Sequence, residues 1–390
     1  MTTPAHPRFP GFDALRALAA LAIVLVHAAI FAGVFTGAPY RALVAHLDIG
    51  VALFFLLTGF LLYRPFLAAR RLGAPRTAGR EYARRRILRI VPAYWLALTV
   101  LAIVPGIYGV FSANWWVYYG FLQNWPVATP GADCAADPFR CGIAPAWSLA
   151  IEVLFYAALP FYALGMSAMA RRLPRVPWLP LELVVLAALS VVSVLVQSIT
   201  ITFTPWLFFS PLGRAWWFAL GMGLAGLSVW VQERGASPRL LRRLSDHPGA
   251  VWGVAAALYL GASLAYLEPR PLGAFPVGDL TEYVVEYVLF GIVCALVLLP
   301  AIFGDAGRGW PRRLLAGRVL TWLGAISYGI FLWHFPILLG LVDIGVLSWW
   351  PGAAYPVLIA TTLAVTIPCA AVSYYALERP VMRRGRRAST

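Results

Sequence analysis

The sequence predicts an all-α polytopic integral membrane protein of about ten transmembrane helices, with both termini in the cytoplasm. Three observations carry that expectation. Of the 390 residues, 61% are hydrophobic and 12% charged, against about 25% charged in soluble domains. The apolar residues are gathered into runs of roughly 20, the length at which a helix crosses a hydrocarbon core about 30 Å thick. The basic residues alternate sharply from one connection to the next.

The runs are approximately 13–35, 47–67, 91–111, 147–170, 181–203, 212–232, 249–267, 283–303, 320–342 and 354–377. An even number of crossings returns the chain to its starting side. Connections 64–89, 171–180, 233–248 and 304–318, with the tail, carry clustered Arg, whereas 36–46, 112–146, 204–214, 268–282 and 343–353 hold only Arg41, Arg140, Arg214 and Arg270. Positive charge collects on the cytoplasmic side, which orients the chain. Residues 1–380 read as a single transmembrane domain and 381–390 as an Arg-rich cytoplasmic tail. A cleaved signal peptide would also place Arg8 before an apolar core. The first run is longer than a signal core, however, and the charge alternation needs it as a span. The formal charge of +15 sits in short loops against the bilayer, where it sets topology and meets anionic lipid; nucleic acid is not implied. All 31 basic residues are Arg and none is Lys, which excludes a Schiff-base lysine.

The first run carries Arg16 and His27 inside apolar sequence. Eleven residues bring them back to one helix face, about 16 Å apart along the axis, so an Arg16 at one surface leaves His27 near mid-membrane. An ionisable group at that depth marks a functional interior or cavity. The plainer alternative is a neutral His27 satisfied by a neighbouring helix, with Arg16 snorkelling to the headgroups. The connection before the third run packs Arg84, Arg85, Arg86 and Arg89 against the membrane; in a helix Arg85 and Arg86 each neighbour Arg89 and offer a guanidinium fork to a polyphosphate. The outer connection holds Trp115, Trp116, Tyr118, Tyr119 and Trp125, either an interfacial belt or stacking surfaces for a sugar. Its Cys134 and Cys141 form a disulfide or remain free thiols. No cysteine pattern suggests a metal. In the fourth run Glu152 falls about 8 Å below the outer surface and needs a partner. In the ninth, His334 again lies near mid-membrane, in a packing or a functional role, two residues before Pro336.

Taken together, several stretches resemble the membrane-bound acyltransferase-3 family of bacterial envelope and antibiotic-modifying enzymes. They are Arg16 with His27; Phe54-Phe55-Leu56-Leu57-Thr58-Gly59-Phe60-Leu61; Arg85-Arg86-Ile87-Leu88-Arg89-Ile90-Val91-Pro92; Trp147-Ser148-Leu149-Ala150-Ile151-Glu152 with Phe155-Tyr156; Ile326-Ser327-Tyr328 with Leu332-Trp333-His334; and Leu377-Glu378-Arg379-Pro380. Thr58 stands where the family usually has Ser, and Val153-Leu154 replace a frequent acidic–amide pair. Some relatives append a soluble esterase-like domain, for which this chain is too short.

The resemblance implies a bacterial inner-membrane O-acyltransferase. It would move an acyl group, acetyl foremost, from cytoplasmic acyl-CoA to a hydroxyl of an envelope glycan, glycolipid, other lipid-linked sugar or polyketide-type metabolite. Acyl-CoA is then a cosubstrate, with no permanently bound cofactor and no metal. His27 acts as general base or transient acyl carrier beside Arg16. Arg86, Arg89 and Arg85 take the donor phosphates, while Glu152, Trp147, Ser148, His334 and Thr58 support or face the acceptor. A proton-coupled transporter or flippase is the competing class, though no matching pair of interrupted helices is visible in two halves. A non-enzymatic membrane scaffold is the third, and it would tolerate loss of His27.

Overall fold

A computed structural model describes residues 9–75, 78–203, 205–265, 280–305 and 307–387. Arg8, Arg76 and Arg270, which entered the charge pattern, lie outside the described residues, as do the last three residues of the tail. Among the described residues the chain is helical, with no strand and an isolated bridge from Tyr108 to Cys141. The principal helices are α1 (Gly11–Phe31), α2 (Ile49–Arg71), α3 (Gly79–Ile103), α4 (Trp147–Arg172), α5 (Trp178–Phe203), α6 (Ala215–Arg234), α7 (Pro248–Ala265), α8 (Leu280–Ile302), α9 (Arg318–Ala325), α10 (Ser327–Asp343), α11 (Ala354–Ser373) and α12 (Arg379–Arg387).

Nine helices among the described residues are long and apolar enough to cross a membrane, or up to ten if the bent pair α9 and α10 counts as one span. The chain is therefore an all-α, multi-pass membrane protein. The ninth run, expected unbroken over 320–342, is interrupted at Ile326, where φ −100° and ψ 5° depart from helical geometry. The tail expected from 381 is already inside α12, which follows a π-helical turn, Tyr374–Glu378, at the foot of α11.

The helices cluster into two compact units. The first holds Met1–Ala19, Asp48–Arg76 and Ala157–Ala325. Lipid gives apolar helices no hydrophobic reason to associate, so small residues that let backbones approach do much of that work. A Cβ on Gly59 of α2 would lie 2.4 Å from the carbonyl oxygen of Phe218, and one on Gly221 of α6 would lie 2.1 Å from that of Leu56. Thr58, half-buried, stands beside Gly59 at this crossing. Arginines that the sequence assigns mainly to lipid are here tied to protein. Arg70 pairs with the buried Glu182, which also accepts from Tyr63 Oη at 2.6 Å. The buried Arg64 donates to Ser228 Oγ at 3.2 Å and Gln232 Oε1 at 2.6 Å, and Arg71 pairs with Glu233 at 2.6 Å.

The second unit holds Ala20–Leu47, Thr77–Tyr156 and Ile326–Thr390. Its core joins Tyr94, Leu98 and Leu101 of α3, Leu149 and Ala150 of α4, and Phe331 and Leu332 of α10. The aromatic connection turns inward to complete it rather than forming only a surface belt. Tyr94 Oη donates to Tyr118 O at 2.9 Å, Trp95 Nε1 donates to Tyr119 O at 3.0 Å, and the Tyr94 and Phe121 rings stack at 4.4 Å. Trp115 and Trp116 remain exposed. Cys134 is disulfide-bonded to Cys141 with Cα atoms 5.3 Å apart. Arg140 then bonds Asp343 at the end of α10 at 2.6 Å, and that hydrogen bond raises the guanidinium's pKa above its ordinary value.

Candidate active site

The second unit brings two histidines from opposite ends of the sequence into contact. Ala28 of α1 packs with Leu338 of α10 and Leu358 of α11, and Tyr355 Oη donates to Leu25 O at 3.2 Å. This seats the later turns of α1 against α10. His27 Nδ1 then lies 2.8 Å from His334 Nε2, with the rings stacked at 5.1 Å. His334 is 0% exposed, and its Nδ1 lies 3.0 Å from Ile330 O and 2.9 Å from Phe331 O.

These distances assign the protons. A carbonyl oxygen only accepts, so Nδ1 of His334 carries the hydrogen and donates it to its own helix. Nε2 of that neutral ring is then an acceptor, which requires His27 Nδ1 to be the donor. The free lone pair of His27 falls on Nε2. Among the described residues Nε2 has no hydrogen-bond partner, and His27 is half-buried where His334 is sealed. The sequence left His334 open between packing and function; its place is behind His27, holding one tautomer. Phe335 closes on the His27 ring edge at 4.8 Å.

The basic turns of α3 form the second feature. Arg85, Arg86, Leu88 and Arg89 line a cleft of about 270 Å³ with Met382 and Gly385 of α12. The three arginines differ. Arg85 is exposed and ion-paired with Glu81, one turn earlier. Arg86 is half-buried with its guanidinium 5.8 Å from the Tyr82 ring centre and 5.9 Å from that of Tyr156, and its buried Nε has no hydrogen-bond partner. Arg89, also half-buried, makes no hydrogen bond or ion pair among the described residues. Two guanidiniums are thus held by packing with donor capacity to spare. Tyr328 Oη donates to Ile90 O at 2.9 Å, pinning the start of α10 beside this cluster. His334 lies six residues further on, about 9 Å along the helix axis.

The remaining expected site residues fall as follows. Glu152 does not face an open outer surface. The Tyr156 hydroxyl donates to its carboxylate one turn on, and Arg86 lies within electrostatic reach. The start of α4 is covered by the inward-turned connection, since Gln123 Nε2 donates to Ala146 O at 2.9 Å and Asn124 Nδ2 to Trp147 O at 2.8 Å. Trp147 is half-buried, and the buried Ser148 turns its hydroxyl to Pro145 O at 3.1 Å. Arg16 and Thr58 belong to the first unit, where Arg16 bonds Asp13 at 2.8 Å. Tyr156, which the sequence offers only as part of the motif after Glu152, is the hydrogen-bond partner of that carboxylate, and the spacing of four residues is the signal for it. Among the described residues no cluster of His, Cys, Asp or Glu is arranged to hold a metal.

The second unit thus holds an imidazole with an open lone pair and, on α3, two guanidiniums with hydrogen-bond donors to spare. Comparison with known proteins gives the class: the acyltransferase domain of the acyltransferase-3 family matches residues 9–375, and the chain belongs to that family. Carrier and scaffold readings give way to an acyltransferase. Among similar proteins is the "Putative peptidoglycan O-acetyltransferase YrhL" of Bacillus subtilis, 28% identical over 98% of this chain and 56% of that protein. Nodulation protein 10 of Rhizobium leguminosarum bv. viciae is 28% identical over 86% of this chain and 82% of its own length. Peptidoglycan O-acetyltransferase OatA of Listeria monocytogenes is 24% identical over 84% of this chain and 49% of its own length. The chain thus spans about half the length of the two peptidoglycan-named relatives. No solved structure matches it.

Proposed function

We propose that this protein transfers an acetyl or other short acyl group from acyl-CoA to a hydroxyl of a cell-envelope glycan, with His27 Nε2 as general base. The observation that carries this is the hydrogen-bond chain from His27 through His334 to the α10 carbonyls, which leaves one lone pair available on a half-buried ring. The acceptor O–H gives its proton to Nε2 as its oxygen attacks the thioester carbonyl. The C–S bond then breaks, and the imidazolium returns the proton to the departing thiolate. A base needs the neutral imidazole, and the hydrogen bond from Nδ1 to His334 leaves its lone pair on Nε2. Arg86 and Arg89 take the donor's phosphates through charge-assisted hydrogen bonds. Arg16, eleven residues before His27 on α1, stands about 16 Å nearer the cytoplasmic end. The clustered Arg support donor entry from the cytoplasmic side of a bacterial inner membrane. The glycan acceptor is supported by relatives whose names specify peptidoglycan O-acetyl transfer.

The test is acyl-CoA turnover by the purified full chain in detergent with an envelope glycan as acceptor. His27→Ala should abolish glycan-dependent release of CoA while inserting and purifying like the parent protein. Undiminished turnover by that variant would remove the assignment.

A further inference from the structure

The family match ends at residue 375, yet one wall of the cleft comes from beyond it. α11 is 20 residues long, about 30 Å of helix, enough to cross the hydrocarbon core by itself. The π-helical turn and α12 continue from its foot, so α12 lies past the apolar span. Five of the nine residues of α12 are Arg. A helix of that composition, left to itself, lies along anionic headgroups. Here it packs on the basic turns of α3 instead. Arg84 donates to the carbonyl of Gly385, and a Cβ on Gly385 would meet Leu88 Cδ1 at 2.7 Å, so the glycine permits the close approach. Met382 and Gly385, one turn apart, face the cleft opposite Arg86 and Arg89.

Two basic helices are brought together here, and the acids near them are few and already engaged. Glu81 is taken by Arg85, Glu152 near Arg86 accepts from Tyr156, and the buried Glu378 near Arg89 accepts from Ser373 Oγ at 3.3 Å. On the α3 side Arg86 and Arg89 are near enough to repel one another, more strongly at a membrane surface than in open water. Arg86, with its buried Nε unbonded, and Arg89 are left facing the opening. Such an arrangement is completed by a polyanion.

We propose that α12 is a structural wall of a phosphate-binding cleft and that a phosphorylated ligand bridges it to α3. The ligand chemistry is a phosphate ester or diphosphate, supplied by coenzyme A or by an anionic lipid headgroup. The coenzyme A source rests on the donor-site reading above. Occupancy neutralises Arg86 and Arg89 opposite Met382 and Gly385, so ligand binding and docking of α12 support one another.

The experiment uses the full chain. Coenzyme A binding is measured by calorimetry in detergent, and phosphatidylglycerol binding is measured against phosphatidylcholine in nanodiscs. Met382→Glu puts a carboxylate into the cleft; it should weaken coenzyme A binding at least tenfold. Met382→Gln, of similar size and uncharged, should stay within about twofold of the parent. A chain ending before Arg379 should lose binding as well, and the two Met382 variants keep the test decisive if that shortened chain does not fold. Coenzyme A binding lost on Arg86→Ala with Arg89→Ala but unchanged by Met382→Glu would overturn the role of α12 and leave the donor site standing. Phosphatidylglycerol binding with the same Met382→Glu sensitivity, and none of coenzyme A, would uphold the cleft with a headgroup as ligand and overturn the donor site. Insensitivity of both ligands to Met382→Glu would overturn the inference.

Discussion

Replacing His334 with Leu removes the acceptor that fixes His27 while leaving the reacting nitrogen in place. In the parent structure His27 Nδ1 donates across 2.8 Å to a residue that is 0% exposed. Leu offers no acceptor in that buried place, so the orphaned N–H carries a penalty of about 1–3 kcal/mol. The ring escapes the penalty by rotating or by moving its proton to Nε2, and either change removes the base. At about 1.4 kcal/mol per decade, His334→Leu should lower kcat roughly 5- to 150-fold with little change in KM for the donor. Deleting the imidazole should cost more, in the range of about 10²–10⁴ for a positioned general base. His334→Gln offers an amide oxygen to accept from His27 and an amide N–H for the α10 carbonyls, and it should recover most of the loss. Because both residues act through one lone pair, His27→Ala with His334→Leu should be no slower than His27→Ala alone. The assay is steady-state release of CoA thiol with glycan acceptor, paired with thermal unfolding to exclude a folding defect. Full activity in His334→Leu, or a double variant slowed by the product of the two single effects, would refute the positioning argument.

Two further outcomes bear on the scaffold. Gly221→Ala places a Cβ 2.1 Å from the Leu56 carbonyl oxygen; α2 and α6 must separate, which should cost about 1–3 kcal/mol and show as a lower unfolding temperature in detergent. Maleimide labelling of properly inserted, unreduced protein should miss Cys134 and Cys141 and gain both after reduction and denaturation; labelling of either before reduction would contradict the disulfide.

The membrane spans were legible because burying about 20 apolar residues in lipid leaves a composition no soluble fold needs. The break at Ile326 was not, since the apolar run continues straight through it. His27 was legible for the converse reason, an ionisable group where lipid tolerates none. Its partner was ambiguous: His334 sits 307 residues away, and its role depends on Nδ1 bonding its own helix. The engagement of Arg85 by Glu81, four residues earlier, was readable from spacing. The intramolecular partners of Arg64, Arg70 and Arg71 were not, because Ser228, Gln232, Glu182 and Glu233 are distant in sequence. Nor does local sequence reveal that the aromatic connection belongs to a core. That fact rests on Tyr94 and Trp95 of the preceding helix donating to its carbonyls.

The cleft between α3 and α12 is basic without a single amine side chain. Every one of the 31 positive residues in the chain is Arg. A lysine amine, with a pKa near 10.4, keeps a small reactive fraction at neutral pH, whereas guanidinium stays protonated and is not nucleophilic. A thioester donor whose phosphates rest on Arg86 and Arg89, as proposed above, meets strong positive charge there and no lysine amine that could take its acyl group. Self-acylation, the characteristic hazard of holding activated acyl donors in a lysine-rich pocket, has no lysine acceptor here. The same chemistry makes the cleft invisible to amine-directed cross-linkers, so its occupancy has to be followed with arginine-selective dicarbonyls.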